Sequence, residues 1–230
     1  MTTDIVQRRG RWLLVAAAAV GLAACFPRLR RTPSEADLAA PGPDSFVVAL
    51  ETSRGRVDVL ARRVWAPLGT DRFYHLVRRR YYDDARFFRV VKDFVAQFGL
   101  AADPTVTQTW RSRRLADEPV MHTNARGTLA YARGGPGTRT TQLFINLRDN
   151  ARLDTLSGFG FPPFAQVISG MGAVDSIYSG YGDAPRGTPQ PGREGPSQDS
   201  ITAQGNAYLA RGWPKLDYIK TARVVREWRR

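Results

Sequence analysis

Apolar and polar residues alternate along this chain in a series of short runs. Phe46 to Glu51 and Gly55 to Leu60 alternate and are rich in β-branched residues, with Ser53-Arg54-Gly55 between them, which predicts a hairpin. Arg86 to Val91 and Phe94 to Phe98 read as two further strands joined by a tight Lys92-Asp93 turn. By the period-two rule Phe94, Ala96 and Phe98 share one face and Val95 and Gln97 the other. Arg126 to Ala132, Gln142 to Leu147, Phe164 to Ser169 and Leu216 to Val225 complete the strand series. Pro67 to Arg80 has helical spacing instead: Phe73, Leu76 and Val77 form one apolar stripe, Thr70 is the candidate N-cap, and Arg78-Arg79-Arg80 suits the C-terminal end of the dipole. Val174, Ile177 and Tyr178 repeat that spacing within Gly170 to Ser179, and Gly180 stops it. Ala101 to Asn124 is weakly patterned and reads as loop. Tyr181 to Gln204 is long, polar and carries four prolines, which predicts an ordered surface excursion. Many short strands with two helices predict a mostly β chain: a closed antiparallel barrel of about eight strands, capped by two α-helices, which leaves no free edge.

The N-terminus has a different pattern. Arg8, Arg9 and Arg11 precede a continuously apolar run, Trp12 to Ala24, too short to span a bilayer comfortably. This is the layout of an export signal. Its end, Leu22-Ala23-Ala24-Cys25, resembles the bacterial lipobox, whose cysteine receives a diacylglyceryl group and becomes the new N-terminus. An ordinary signal cut near Ala24 and an uncleaved anchor are the alternatives. Arg8-Arg9 stands one place out of register with a twin-arginine signal. The expected organisation is signal over 1–24, flexible tether over 25–44 with Pro27, Pro33, Pro41 and Pro43, and one domain over 45–230. The mature domain is then expected outside the cytoplasm, on the periplasmic side of the envelope, held to the membrane by lipid on Cys25.

Composition narrows the chemistry. Hydrophobic residues make up 43%, enough for a sizeable core, and the formal charge is +13, carried almost wholly by arginine since Lys92, Lys215 and Lys220 are the only lysines. The arginines are scattered and no aromatic-interleaved basic motif accompanies them, so a basic surface is favoured over a nucleic-acid site. Cys25 is the sole cysteine, and His75 and His122 have no metal-ligand spacing, so neither a disulfide framework nor a metal centre is expected.

Two stretches, Ala85 to Gly99 (ARFFRVVKDFVAQFG) and Tyr131 to Asn146 (YARGGPGTRTTQLFIN), resemble the cyclophilins, the cyclosporin-binding peptidyl-prolyl isomerases. The likeness covers roughly Phe46 to Gly180 and the last strand. It implies a catalytic arginine at Arg89, within the family's F-x-R and F-x-x-Q-x-G pattern. It places Phe94 and Val95 in the seat for the proline ring, Phe144 on its floor and Leu153 on its wall. Gln97 matches a position that binds the peptide backbone, Ala132 and Arg133 run beside that backbone, and Gln142 could orient the guanidinium. Taken singly, each also has a plain reading: Arg89 as a solvated side chain, Phe94 and Phe144 as core, Gln97 as solvent-facing. The chain departs from the family at Arg152, where an aromatic residue is common, and at Arg133, where Asn is common. It departs also at Phe88, where His is frequent, at Lys92-Asp93 in place of Pro-Gly, and at Gly160-Phe161-Pro162-Pro163, where a His often precedes the strand.

The implied reaction needs no cofactor, metal or nucleophile. A prolyl amide is held planar by a resonance barrier of ~18–20 kcal/mol. Rotation is therefore slow, on the order of tens to hundreds of seconds. A dry apolar seat, and a fixed cation that hydrogen-bonds the prolyl nitrogen as it pyramidalises, stabilise the twisted state over both planar ones. Arginine suits this because it stays charged and presents a planar fork of donors. The expected partners are proline-containing polypeptides and, through the lipid, the membrane; a monomer is expected. Two other functions fit the residues: a catalytically weak cyclophilin-like module that only binds proline peptides, and a basic envelope protein binding anionic polymers. Mass spectrometry of the membrane fraction should find Cys25 as an acylated N-terminal residue; a free thiol there on mature protein, or an intact Met1 on cytosolic material, contradicts this expectation.

Overall fold

The computed structural model describes residues 33–185 and 194–229; Cys25 and the apolar run before it lie outside them. In the segment read as tether, Glu35–Ala39 forms a short helix, α1. Leu38 packs on the core, the Gly42 N–H donates to Asp71 at 2.9 Å and His75 Nε2 lies 2.8 Å from the Ala40 carbonyl. Residues 33–44 are thus laid against the domain. β1 (Ser45–Thr52) and β2 (Gly55–Arg62) pair as the antiparallel hairpin their alternation predicts.

The chain then enters α2 (Pro67–Arg78). Thr70 is not its cap. The helix begins one turn earlier with Ala66 as N-cap and Pro67 in the first turn, where a missing N–H costs nothing. Two of the free N–H groups at this start, those of Leu68 and Gly69, donate to the Glu118 carboxylate at 2.6 and 3.1 Å. Glu118 in turn pairs with Arg139 at 3.0 Å, and the Arg139 side chain is fully buried. Thr70 instead donates its hydroxyl to the Ala66 carbonyl at 2.9 Å.

Seven strands follow: β3 (Ala85–Arg86), β4 (Arg89–Val91), β5 (Val95–Phe98), β6 (Thr128–Tyr131), β7 (Leu143–Asn146), β8 (Pro163–Ser169) and β9 (Tyr218–Trp228). All pairings are antiparallel, in the order β3-β9-β1-β2-β8-β6-β7-β5-β4. This corrects the expected closed eight-stranded barrel. The sheet is a curled half-barrel of nine strands, and its edge strands β3 and β4 form no ladder with each other. They are consecutive in the chain, separated only by Phe87-Phe88, a step of about 10 Å at full extension. The run read as one strand from Arg86 is therefore two, because its halves pair with opposite ends of the sheet: Arg86 with Tyr218, and Arg89 with Gln97.

The expectation of two helices is also too low. Besides α2 and the short α4 (Met171–Asp175), the chain forms α3 (Pro104–Arg111), α5 (Gln198–Gln204) and α6 (Asn206–Gly212). α3 lies within the stretch read as loop. Asp103 caps it, accepting from the Thr105 N–H at 2.9 Å, and Pro104 opens it. Its buried residues are Thr107 and Trp110, and Val106 packs partly buried against the core.

The main core fills the curl. Phe46, Val48, Leu50, Val57 and Val59 from the hairpin meet Phe73 of α2 and Val174 of α4. Phe73 lies 6.0 Å from Phe46 and 5.2 Å from Phe164 between ring centres. A second cluster, outside this core, joins Phe88 and Leu100 to Tyr181, Ile201, Leu209, Trp213 and Leu216. Removing the carboxylate by Glu118→Ala should strand the buried Arg139 charge and two helix N–H groups. The expected loss is about 3–5 kcal/mol in urea unfolding; a loss below ~1 kcal/mol, the range of an exposed pair, contradicts the anchoring role of Glu118.

Candidate active site

The site is written into the register of four strands. Val90, Ala96, Ile145 and Leu129 are successive partners across β4, β5, β7 and β6, and all four are buried in the main core. One residue along, the row is Arg89, Gln97, Phe144 and Ala130, and its side chains take the opposite face. On that face lies a groove with a cavity of about 410 Å³. All nine residues singled out from the sequence line it: Arg89, Phe94, Val95, Gln97, Ala132, Arg133, Gln142, Phe144 and Leu153.

Arg89 is held from the sheet. Its Nη1 donates to Gln97 Oε1 at 3.1 Å, and Gln97 Nε2 donates to Gln142 Oε1 at 2.8 Å. Gln97 is thus buried and engaged at both ends of its amide. Beside it, Val95, Ala130, Phe144 and Leu153 form a small apolar cluster, with Phe94, Ala132 and Phe161 partly buried around it. Phe94 departs from the expected face. It stands in the turn before β5, where Asp93 has φ of 55°, and so joins the groove instead of the core. Gly99, which ends the F-x-x-Q-x-G pattern, has φ of 107°, and a Cβ there would lie 2.5 Å from the Thr141 carbonyl oxygen. Glycine is required at that point by both backbone angle and space.

Three further features escaped the sequence. Phe161 packs edge-on against Phe144 at 5.7 Å, so the aromatic in the segment that lacks the family's histidine completes the seat. A chain of buried asparagines backs the seat. Asn150 Nδ2 donates to the Phe94 carbonyl at 3.0 Å and to Asn146 Oδ1 at 2.8 Å. Asn146 Nδ2 donates to Asn124 Oδ1 at 3.1 Å, and Asn124 Nδ2 to the Phe161 carbonyl at 2.9 Å. The third feature is Asp183, whose Oδ1 accepts from Arg89 Nε at 2.5 Å. No local pattern could have signalled it, since 94 residues separate the two.

Arg133 lines the groove with its guanidinium already engaged. It donates to Asp117 at 2.7 Å and to the Phe159 carbonyl at 2.8 Å, and it lies 4.0 Å from the Phe159 ring centre. Burial lowers its pKa, only partly offset by Asp117. Arg152 is exposed and lies 4.8 Å from the ring centre of Phe94, at the position where the resemblance implies an aromatic ring. Among the described residues, no group of three His, Cys, Asp or Glu could hold a metal ion.

The chain forms a curled antiparallel sheet with an apolar seat beside a sheet-held arginine, and the comparisons with known proteins say which class it belongs to. The family model for cyclophilin type peptidyl-prolyl cis-trans isomerases matches residues 47–201, so the chain belongs to that family. Peptidyl-prolyl cis-trans isomerase cyp18 of Streptomyces antibioticus is 35% identical over 138 residues, covering 56% of this chain and 81% of the relative. Peptidyl-prolyl cis-trans isomerase B of Escherichia coli is 32% identical over 142 residues, covering 57% and 83%. A crystal structure of a cyclophilin type isomerase from Cryptosporidium parvum superposes with a TM-score of 0.55 at 20% identity, covering 80% of this chain and 99% of that one, and shows the shared fold. The same protein has been solved in the presence of the dipeptide Ala-Pro. The chain is a peptidyl-prolyl cis-trans isomerase by family.

Leu153 reaches the seat on a single 3-10 turn, Ala151–Asp154. Asp154 pins that turn by accepting from the Thr123 hydroxyl at 2.6 Å and from the Asn124 backbone and side-chain amides at 2.8 Å each. Burial raises the Asp154 pKa, but these hydrogen bonds outweigh it and leave the group below its ordinary value. A carboxyl whose pKa is lower in the folded chain adds stability above its unfolded pKa of about 3.9 and loses it as pH falls through the folded value. The Asp154 contribution should therefore hold from neutral pH to about pH 5 and decline progressively below about pH 4, as pH falls towards the folded value. Asp154→Asn should flatten the acid limb of the melting-temperature profile; an acid limb identical to the parent's rules this out.

Proposed function

We propose that Arg89 is the catalytic donor of an isomerase that accelerates rotation about X-Pro bonds in exported or envelope proteins. The observation that carries this is the chain Arg89–Gln97–Gln142, which fixes a guanidinium at the edge of the apolar seat. The seat of Phe94, Val95, Phe144, Phe161 and Leu153 takes the proline ring out of water. That burial orients the prolyl amide and leaves its nitrogen facing the guanidinium. As the amide twists, conjugation is lost and the nitrogen gains a basic lone pair. Arg89 donates to that lone pair. The planar ground states have no such lone pair, so the bond strengthens only on the way to the transition state. Gln97 keeps the donor in place and its neighbours Ala132 and Arg133 border the path of the peptide backbone.

The setting outside the cytoplasm rests on the sequence of residues 1–25: a basic start, an apolar run and the lone cysteine at its end. Lipid on Cys25 would hold the domain at the membrane surface, where exported chains emerge unfolded and X-Pro rotation limits their folding.

Arg89→Ala should lower catalysed isomerisation about 10²–10³-fold, by analogy with loss of a donor to developing charge. Arg89→Lys should restore only part of it, because an ammonium lacks the planar fork. Circular dichroism should show both variants folded. An Arg89→Ala protein that is folded and as fast as the parent removes Arg89 from this role.

A further inference from the structure

The groove is not built from the sheet alone. Gln198 of α5 also lines it, and Asp183 contacts Arg89 directly. Both belong to the excursion between α4 and β9. Its cluster of Tyr181, Ile201, Leu209, Trp213 and Leu216 packs on Phe88, the residue next to Arg89 in the chain. The carboxylate is held in place by its own backbone as well. The Ala184 N–H donates to Asp183 Oδ1 at 2.7 Å, and the Gly195 N–H donates to the Asp183 carbonyl at 2.9 Å, closing the base of the loop. Asp183 thus meets Arg89 as the end of a folded element.

Taking Arg89 as the donor proposed above, we infer that Asp183 is a specificity-determining residue. As the counter-ion of Arg89 it disfavours clients with an acidic residue next to the proline. Gln97 already fixes Arg89 through Nη1, so what the carboxylate adds is charge. Without it Arg89 would meet the peptide as an unpaired cation and attract an acidic neighbour. With it the pair is neutral, and the more exposed member is the anion: the Asp183 side chain is 63% exposed against 21% for Arg89. A residue flanking the prolyl amide lies beside the guanidinium and hence within a few ångströms of that carboxylate. Among the described residues, the other cations at the groove are Arg133, engaged by Asp117, and Arg152, exposed over Phe94. Once Asp183 is neutralised, Arg89 adds an unneutralised positive charge beside Arg152. Charges at this exposure are worth a few-fold each and are screened by salt.

The test compares two blocked peptides, acetyl-Ala-Glu-Pro-Phe-amide and acetyl-Ala-Lys-Pro-Phe-amide, by exchange NMR, with parent, Asp183→Asn and Glu51→Gln proteins. Glu51→Gln removes one negative charge from the β1–β2 hairpin, outside the groove. Asp183→Asn should raise kcat/KM for the Glu peptide relative to the Lys peptide about threefold or more at low salt, and the shift should shrink in 0.5 M NaCl on the order of a 4 Å screening length. Partial unfolding lowers both peptides alike and leaves the ratio unchanged. The Kd of each peptide, read from the same titrations, gives the ratio even if turnover is slow. A ratio that stays with the Glu51→Gln control, or moves towards the Lys peptide, overturns the inference. A fast Arg89→Ala protein with a shifted Asp183→Asn ratio would instead defeat the Arg89 assignment and leave the carboxylate's role standing.

Discussion

The hydrogen bond from Arg89 Nη1 to Gln97 Oε1 at 3.1 Å is the contact on which the groove depends. An arginine side chain has several soft torsions, and ordering it costs free energy that substrate binding would otherwise have to supply. Here strand register does the ordering, because Arg89 and Gln97 are direct partners across β4 and β5. Direct partners hold their Cβ atoms about 5 Å apart, within reach of one side-chain hydrogen bond. The same register sends Val90 and Ala96 into the core. A slip by one residue would bury a guanidinium and expose the core row, so the apolar burial of one face enforces the chemistry of the other.

The apolar wall is fixed by polar groups of a different kind. Phe94, Leu153 and Phe161 come from three separate irregular segments, which have no ladder to align them. Asparagine suits the junctions because each amide offers two donors and an acceptor. Asn124, Asn146 and Asn150 use that capacity to join the Phe94 and Phe161 carbonyls to one network, and Asp154 ties the Leu153 turn to Asn124. Buried and mutually satisfied, such a network makes the seat rigid; with any member lost, the remainder would be unsatisfied polar groups in an apolar wall. Glu118 and Arg139 serve the start of α2 in the same way.

What the sequence revealed follows from which forces are local. Alternation of apolar residues located the hairpin and the strands bearing Arg89, Gln97 and Phe144, because period two is a property of neighbouring residues. It could not show that Arg86 and Arg89 belong to opposite edges of one sheet, since pairing partners lie elsewhere in the chain. The loop reading of Ala101 to Asn124 failed on α3, whose buried residues are a threonine and a tryptophan, although Asp103 before Pro104 is an N-terminal helix signal. The nine groove residues came from resemblance to a family pattern. Phe161 and the asparagines stood outside that pattern, and their roles emerge only when the segments meet.

Phe88 shows how one departure from the family pattern carries others with it. Phe88 stands in the link between β3 and β4, outside the main core, and would expose a large apolar surface if nothing covered it. The excursion covers it: Phe88 is buried against Tyr181, Trp213 and Leu216. That packing gives the excursion a small core of its own, held further by the Trp213 Nε1 donation to the Glu194 carbonyl at 2.6 Å. A polar residue at position 88 would remove the centre of this cluster and with it the reason for the excursion to lie beside Arg89. Phe88 and the carboxylate at 183 are therefore parts of one arrangement, in which an apolar contact outside the main core positions a charge against Arg89 in the groove.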